Sequence, residues 1–230
     1  MEDGKQMIKI LFEDNHVLVV IKPVNIPVQE DSSKDKDLLT ILKQYLKEKY
    51  NKKGNVYLGL VHRLDRPVGG IMVFAKTSKA ASRLSEQVRN NEISKKYLCV
   101  VENKVSKKEG TFVDKLLKDT RLNIVKVDKD GKESKLNYEL IQYNSEKNLS
   151  LVRVDLITGR SHQIRVQFSS RGFPLYGDQK YNYNSKVGQQ IALFAYHLEF
   201  YHPTLKRKMV FDYELPKTKP WIYFNLKNDN

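Results

Sequence analysis

Apolar and polar positions alternate in blocks that lay out most of the elements. Ile8-Lys9-Ile10-Leu11-Phe12 and His16-Val17-Leu18-Val19-Val20-Ile21 read as two strands around the turn Glu13-Asp14-Asn15, a hairpin. Lys22-Pro23 stops the second strand and Asn25-Ile26-Pro27 continues as a constrained loop. A charged linker, Asp31 to Asp37, leads to a helix from Leu38 to about Tyr50. Asp37 can cap it, and Leu38, Leu42 and Leu46 follow helical spacing. Val56 to Val61 and Ile71 to Ala75 read as short buried strands. Thr77 or Ser78 caps a helix from Lys79 to about Arg89, with Leu84 and Val88 toward the core. Lys95 to Val101 is a strand, and Leu136–Tyr143 and Leu149–Leu156 alternate as a pair. Glu102 to Gly131 is the least regular part, with Ile124 to Val127 as a short ribbon strand. A helix follows from Ser161 to about Ser170, on which His162, Arg165 and Ser169 share one stripe. Ile191 to Leu198 and Met209 to Phe211 are the last strands, joined across His202-Pro203-Thr204. Strands and helices mix without strict alternation. The expected class is therefore α+β, with one mixed, largely antiparallel sheet.

Composition adds a partner. Lysine and arginine exceed the acids by enough to give a net charge of +14. That balance points to a polyanion, nucleic acid before anionic membrane, although lysine-rich solubilising loops give the same sum. Lys104, Lys107, Lys108, Lys115, Lys118, Arg121, Lys126 and Lys129 crowd the irregular segment. They form either a basic arm for a phosphate backbone or a solvated loop. The lone cysteine, Cys99, sits in an apolar run and reads as a core thiol, so no intrachain disulfide forms. The polar start, Met1 to Lys5, does not read as a signal peptide, and no apolar run is long enough for a membrane span. A cytoplasmic monomer is the expectation. The length suits one large domain or two intimate halves, taken here as a single catalytic domain over 1–230.

The candidate chemistry lies in His62-Arg63-Leu64-Asp65-Arg66-Pro67-Val68-Gly69-Gly70. One carboxylate sits among two arginines and a histidine, on a turn between two apolar runs. A loop carried by a rigid scaffold is a favoured place for reacting groups, and paired glycines admit positive φ and close approach. A tight turn whose acid neutralises its neighbouring arginines fits the same spacing.

A resemblance weighs between these readings. His62-Arg63-Leu64-Asp65, the glycine turn and Phe74-Ala75-Lys76 resemble the catalytic motif of the RluA-type pseudouridine synthases. Thr158-Gly159-Arg160-Ser161-His162-Gln163-Ile164-Arg165, followed by Gly172 to Asp178, is similar to that family's arginine-bearing motif and the Gly-Asp beyond it. Lys95-Lys96-Tyr97-Leu98 is similar to its tyrosine strand. The likeness runs from about Ile8 to about Pro216, without an accessory RNA-binding module before the first strand.

The resemblance implies a pseudouridine synthase fold with a central cleft, and isomerisation of uridines in structured ribosomal or transfer RNA. That reaction breaks the N1–C1′ bond, turns the base and joins C5 to C1′. It has no net redox change or hydrolysis, so no cofactor or metal is expected. By the same resemblance Asp65 is the catalytic aspartate, acting at C1′, at C6 or on the C2′ proton. Arg165 pairs with it, since an arginine fork suits a carboxylate. Tyr97 stacks on the target base, and Arg63 helps evert the uridine and fill its gap. His62, Arg160 and Gln163 complete the expected substrate-binding set, with His62 read chiefly as a polar residue bonded in its turn. One departure stands out. The family commonly has Thr-Ser-Gly where this chain has Val68-Gly69-Gly70; if the two missing hydroxyls cap or orient the aspartate loop, its geometry here is expected to rest on glycine backbone groups instead. A non-catalytic RNA-binding protein on the same fold is the alternative, with a histidine-dependent ribonuclease as a weaker one. Metal-ligand spacings, a Gly-x-Ser-x-Gly elbow and nucleotide-binding glycine motifs are absent from the sequence.

Overall fold

The computed structural model describes residues 8–225; the polar start Met1 to Lys5 lies outside the described residues. The chain forms two compact units. One is the described part of Met1–Ser94 with His197–Tyr213, and the other is Lys95–Tyr196 with the described part of Glu214–Asn230.

The first unit is built on β1 (Lys9–Glu13), β2 (Val17–Lys22) and β4 (Gly69–Ala75), antiparallel in that order. Every residue of β2 and β4 is buried, as their unbroken apolar runs require. Helix α1 (Leu38–Lys49) buries Leu38, Leu42 and Leu46, and Asp37 caps it by accepting from the Thr40 N–H at 3.0 Å. Helix α2 (Ser78–Arg89) is capped by Thr77. Its buried stripe is Ala80, Leu84 and Gln87, with Val88 only half-buried. The Gln87 amide both donates to the Tyr201 carbonyl and accepts from the Tyr201 N–H, at 2.8 and 2.9 Å. A polar side chain thus satisfies a strand end, which apolar spacing could not reveal.

The expected strand Val56 to Val61 shrinks to β3 (Gly59–Leu60). It pairs Gly59 with Ala75 and Leu60 with Phe74. The next ladder position is lost because the Val73 N–H donates to the His62 ring, Nε2, at 3.2 Å. The chain leaves the sheet there and enters the Asp65 loop. Later, β10 (Leu193–Tyr201) and β11 (Lys208–Asp212) pair antiparallel through Leu198 and Phe211. Their connection is pinned by buried His202. Its Nε2 lies 2.8 Å from Asp14 Oδ2, and its Nδ1 accepts from the N–H groups of Thr204 and Leu205.

Glu13, at the end of β1, collects four donors. Lys76 and the Tyr50 hydroxyl reach Oε1 at 2.8 and 2.6 Å, and Lys49 and the Tyr45 hydroxyl reach Oε2 at 2.7 and 2.9 Å. Burial acts to raise the carboxyl, but Lys49, Lys76, Tyr50 and Tyr45 outweigh it and hold it at about 2 against an ordinary 4.5. A depressed acid contributes stability above its unfolded value and loses it as pH falls toward the folded one. We therefore expect Glu13→Gln to flatten the acid limb of unfolding between pH 4.5 and 2, a window worth roughly 2–3 kcal/mol in the native chain. Urea titrations across that window check it.

The second unit pairs β5 (Ser94–Glu102), β9 (Leu149–Leu156), β8 (Lys132–Asn144), β6 (Glu109–Asp119) and β7 (Ile124–Val127) antiparallel in that spatial order. The segment expected to be irregular therefore holds an 11-residue strand, β6. Its inward row is Phe112, Asp114 and Leu116, between the exposed Thr111, Val113, Lys115 and Leu117. The acid in the middle of that row hides the alternation. Asp114 is held there by Arg171, at 2.8 and 3.0 Å, and by the Gln167 amide at 2.7 Å. Phe112, Tyr138 and Phe168 stack edge-on or tilted beneath the strands. Cys99 is fully buried, and burial pushes its thiol well above the ordinary range. Helix α3 spans Gln163–Ser169, starting two residues later than expected because His162 takes a left-handed conformation at φ 52°.

Candidate active site

In the first unit the Asp65 loop is a turn in which the Val68 N–H donates to the Asp65 carbonyl at 2.9 Å. Asp65 is half-buried and Arg63 is exposed, while Leu64 and Val68 are core residues that anchor the loop from both sides. Gly69 and Gly70 lie in β4, not in the turn, and Gly70 alone carries a positive φ, at 135°. The expectation that glycine backbone groups would hold the loop needs correction. Lys22 holds it. That side chain is fully buried at the end of β2 and donates to the carbonyls of Pro23, Arg66 and Val68 at 2.9, 2.9 and 2.8 Å. Two of those carbonyls, of Arg66 and Val68, belong to the turn that begins at Asp65. Burial lowers the Lys22 ammonium to about 7, Asp65's negative charge resists the fall, and Arg66 adds to it. The Arg66 side chain turns outward to Asp35 and Asp31, in exposed pairs that contribute little. His62, through Nε2 on Val73, is bonded at the loop's entrance.

In the second unit Tyr97 sits on β5 opposite Val154, with 6% of its surface exposed. Burial also lowers the ammonium of Lys95, two residues before it. Arg165, in α3, is 5% exposed and forms a two-pronged pair with Asp178: Nε to Oδ2 at 2.8 Å and Nη2 to Oδ1 at 2.7 Å. Nη1 takes no part in that fork. Asp178 itself is 1% exposed. It follows Gly177, whose φ of +74° and closeness to the Gln190 carbonyl, 2.2 Å from where a Cβ would stand, exclude any side chain. Gln163 is buried and engaged locally. Its Oε1 accepts from the Thr158 hydroxyl and the Arg160 N–H, and its Nε2 donates to the Lys135 carbonyl. The Arg160 side chain donates from Nε to the Glu133 carbonyl at 2.9 Å. These two residues fasten the Thr158–Arg160 loop to β8. Sequence reasoning passed over Lys22, read only as a strand stop. Asp178 reads in the sequence only as part of a motif, with no task of its own.

The chain and its fold have counterparts among known proteins. The RNA pseudouridylate synthase family model matches residues 16–170, and the chain belongs to that family. It is an RNA pseudouridine synthase, an isomerase. An uncharacterized RNA pseudouridine synthase of Aquifex aeolicus is 34% identical over 233 residues, covering 94% of this chain and 72% of the relative. Ribosomal large subunit pseudouridine synthase D of Zymomonas mobilis is 34% identical over 238 residues, covering 97% and 74%. Among solved structures, human RNA Pseudouridylate Synthase Domain Containing 4 superposes with a TM-score of 0.76 at 22% identity, covering 91% of this chain and 89% of that one. It shares the fold, and the α+β, largely antiparallel architecture read from the sequence is the one observed. Among the described residues no helix is long and apolar enough to cross a membrane.

Proposed function

We propose that this enzyme isomerises uridine in large-subunit ribosomal RNA, with Asp65 as the reacting carboxylate, Tyr97 stacking on the target base and Arg165 pairing with the acid. The observation that carries the substrate is the 34% identity, over 97% of the chain, to a ribosomal large subunit pseudouridine synthase. The residue roles follow the motif match and are supported by construction within each unit: a turn pinned by a buried lysine, and a buried arginine oriented by an acid. The β6–β7 ribbon supports RNA as partner, since Lys115, Lys118, Arg121, Lys126 and Lys129 are all exposed on it. Arg63, exposed beside Asp65, is the group offered to the gap left by an everted nucleotide. His62, Arg160 and Gln163 serve by holding the two loops. The enzyme works as a cytoplasmic monomer and as one catalytic domain.

The chemistry asks little beyond a positioned carboxylate. Asp65 attacks C1′ or C6, or takes the C2′ proton. The N1–C1′ bond breaks, the base turns and C5 joins C1′; the bond formed to Asp65 is released, or the C2′ proton returned, as the C5 proton leaves to solvent or a nearby base and N1 takes up a proton. Incubating the protein with large-subunit ribosomal RNA and with transfer RNA, then mapping pseudouridine by carbodiimide-dependent reverse-transcription stops, tests the proposal. New stops in the ribosomal RNA are expected. Stops confined to transfer RNA would overturn the substrate. Salt-dependent binding without any stop would favour the non-catalytic alternative.

A further inference from the structure

We propose that Tyr181 is a positioning residue for Arg165, and that it ties this arginine to the base of the basic ribbon. His162, Arg165 and Ser169, the stripe legible in the sequence, all end on this one side chain or its backbone. The His162 Nδ1 lies 2.6 Å from the Tyr181 hydroxyl. The Arg165 guanidinium lies over the Tyr181 ring, 5.1 Å from its centroid. The Ser169 hydroxyl donates to the Tyr181 carbonyl at 2.7 Å.

The hydroxyl makes a second bond that reaches another element. The Val125 N–H, on β7, donates to it at 2.8 Å. One hydroxyl thus joins His162, at the start of α3, to the backbone of β7. The ring itself is packed in a small core with Leu116, Val125 and Val166, drawn from β6, β7 and α3. Backbone geometry closes the arrangement. Asp178 Oδ1, which accepts from Arg165 Nη2, also accepts from the N–H groups of Lys180 and Tyr181 at 3.0 and 3.3 Å.

Arg165 is therefore restrained twice, in directions that do not overlap. Asp178 fixes the guanidinium edge within its plane, and the Tyr181 ring covers one face, where a cation is attracted. The two restraints act differently: the fork sets the guanidinium edge, and the ring supports its face. Because the ring is anchored to Val125, a shift of the β6–β7 ribbon moves the surface on which the arginine rests.

This inference rests on the reading of Arg165 as part of the reacting site, so the experiment separates the two. Single-turnover conversion, RNA dissociation constant and melting temperature are measured for Tyr181→Phe, Tyr181→Leu and Arg165→Lys. Tyr181→Phe keeps the ring and loses both hydroxyl bonds; we expect conversion about tenfold slower and melting lower by roughly 2–4 °C. Tyr181→Leu keeps bulk but no aromatic face; we expect conversion on the order of 100-fold slower with RNA affinity within about twofold of native. A rate loss without an affinity loss, partly rescued by phenylalanine, is the signature of positioning. Conversion by Tyr181→Leu within threefold of native would overturn the inference, as would RNA affinity falling in step with rate. Should Tyr181→Leu fail to fold, Tyr181→Phe decides: an unchanged rate overturns, a tenfold loss at native affinity supports. If Arg165→Lys converts normally, the reading of Arg165 fails. If Arg165→Lys is impaired while both tyrosine variants run at native speed, only the role of Tyr181 fails.

Discussion

Asp65→Asn is expected to abolish conversion, by on the order of 10⁴-fold or more, while RNA binding stays within about twofold of native. Asparagine has the same shape and keeps the main-chain carbonyl that receives the Val68 N–H, so the turn should survive. What disappears is the charge. A neutral amide neither attacks a sugar carbon or pyrimidine ring nor abstracts a proton, whichever of the three routes operates. Turnover retained by Asp65→Asn, measured under single-turnover conditions with enzyme in excess, would remove this residue from its role. Loss of RNA binding in parallel would instead point to a collapsed loop.

The fold was legible where burial is one-sided or complete. β2 and β4 announce themselves as unbroken apolar runs, and α1 shows Leu38, Leu42 and Leu46 behind an Asp37 cap. Legibility failed where a polar group occupies a core-facing position for a reason that only tertiary structure supplies. Asp114 breaks the alternation of β6 because Arg171 and Gln167 wait on its inner side. Val56 to Val61 has the apolar content of a strand, yet the His62 ring takes the N–H that would have continued the ladder. The motif residues themselves were readable by resemblance, while the groups that hold them were not. Lys22 looks like a polar strand end followed by proline, and only the distant Arg66 and Val68 carbonyls give it a purpose. Asp178 and Tyr181 lie 13 and 16 positions beyond Arg165, too far for any helical or strand period to connect them.

Lys22→Met should be the most damaging change outside the reacting residues, lowering stability by about 2–4 kcal/mol and conversion by on the order of 100-fold. Methionine fills much of the same buried space, but the Pro23, Arg66 and Val68 carbonyls lose their shared donor inside the protein. Removing a buried cation returns its desolvation cost, which is why the stability loss is smaller than three broken bonds would suggest. The native lysine also predicts an unusual pH response. Its folded value is about 7 against an ordinary 10.5, so between those limits the unfolded chain binds more protons than the folded one. The contribution of Lys22 to stability therefore rises with pH through that window, and the penalty of the buried charge is fully present below 7. Catalysis should move the other way. A neutral amine has two N–H groups for three carbonyls, two of them in the Asp65 turn, so the turn is held less firmly as pH passes about 7. Rate falling while stability climbs is a combination that simple alkaline unfolding cannot produce. Single-turnover rates and urea midpoints, measured from pH 6 to 10 on native protein and Lys22→Met, check it. The variant should lose both trends, and a variant that keeps the native alkaline decline in rate would show that some other group sets it.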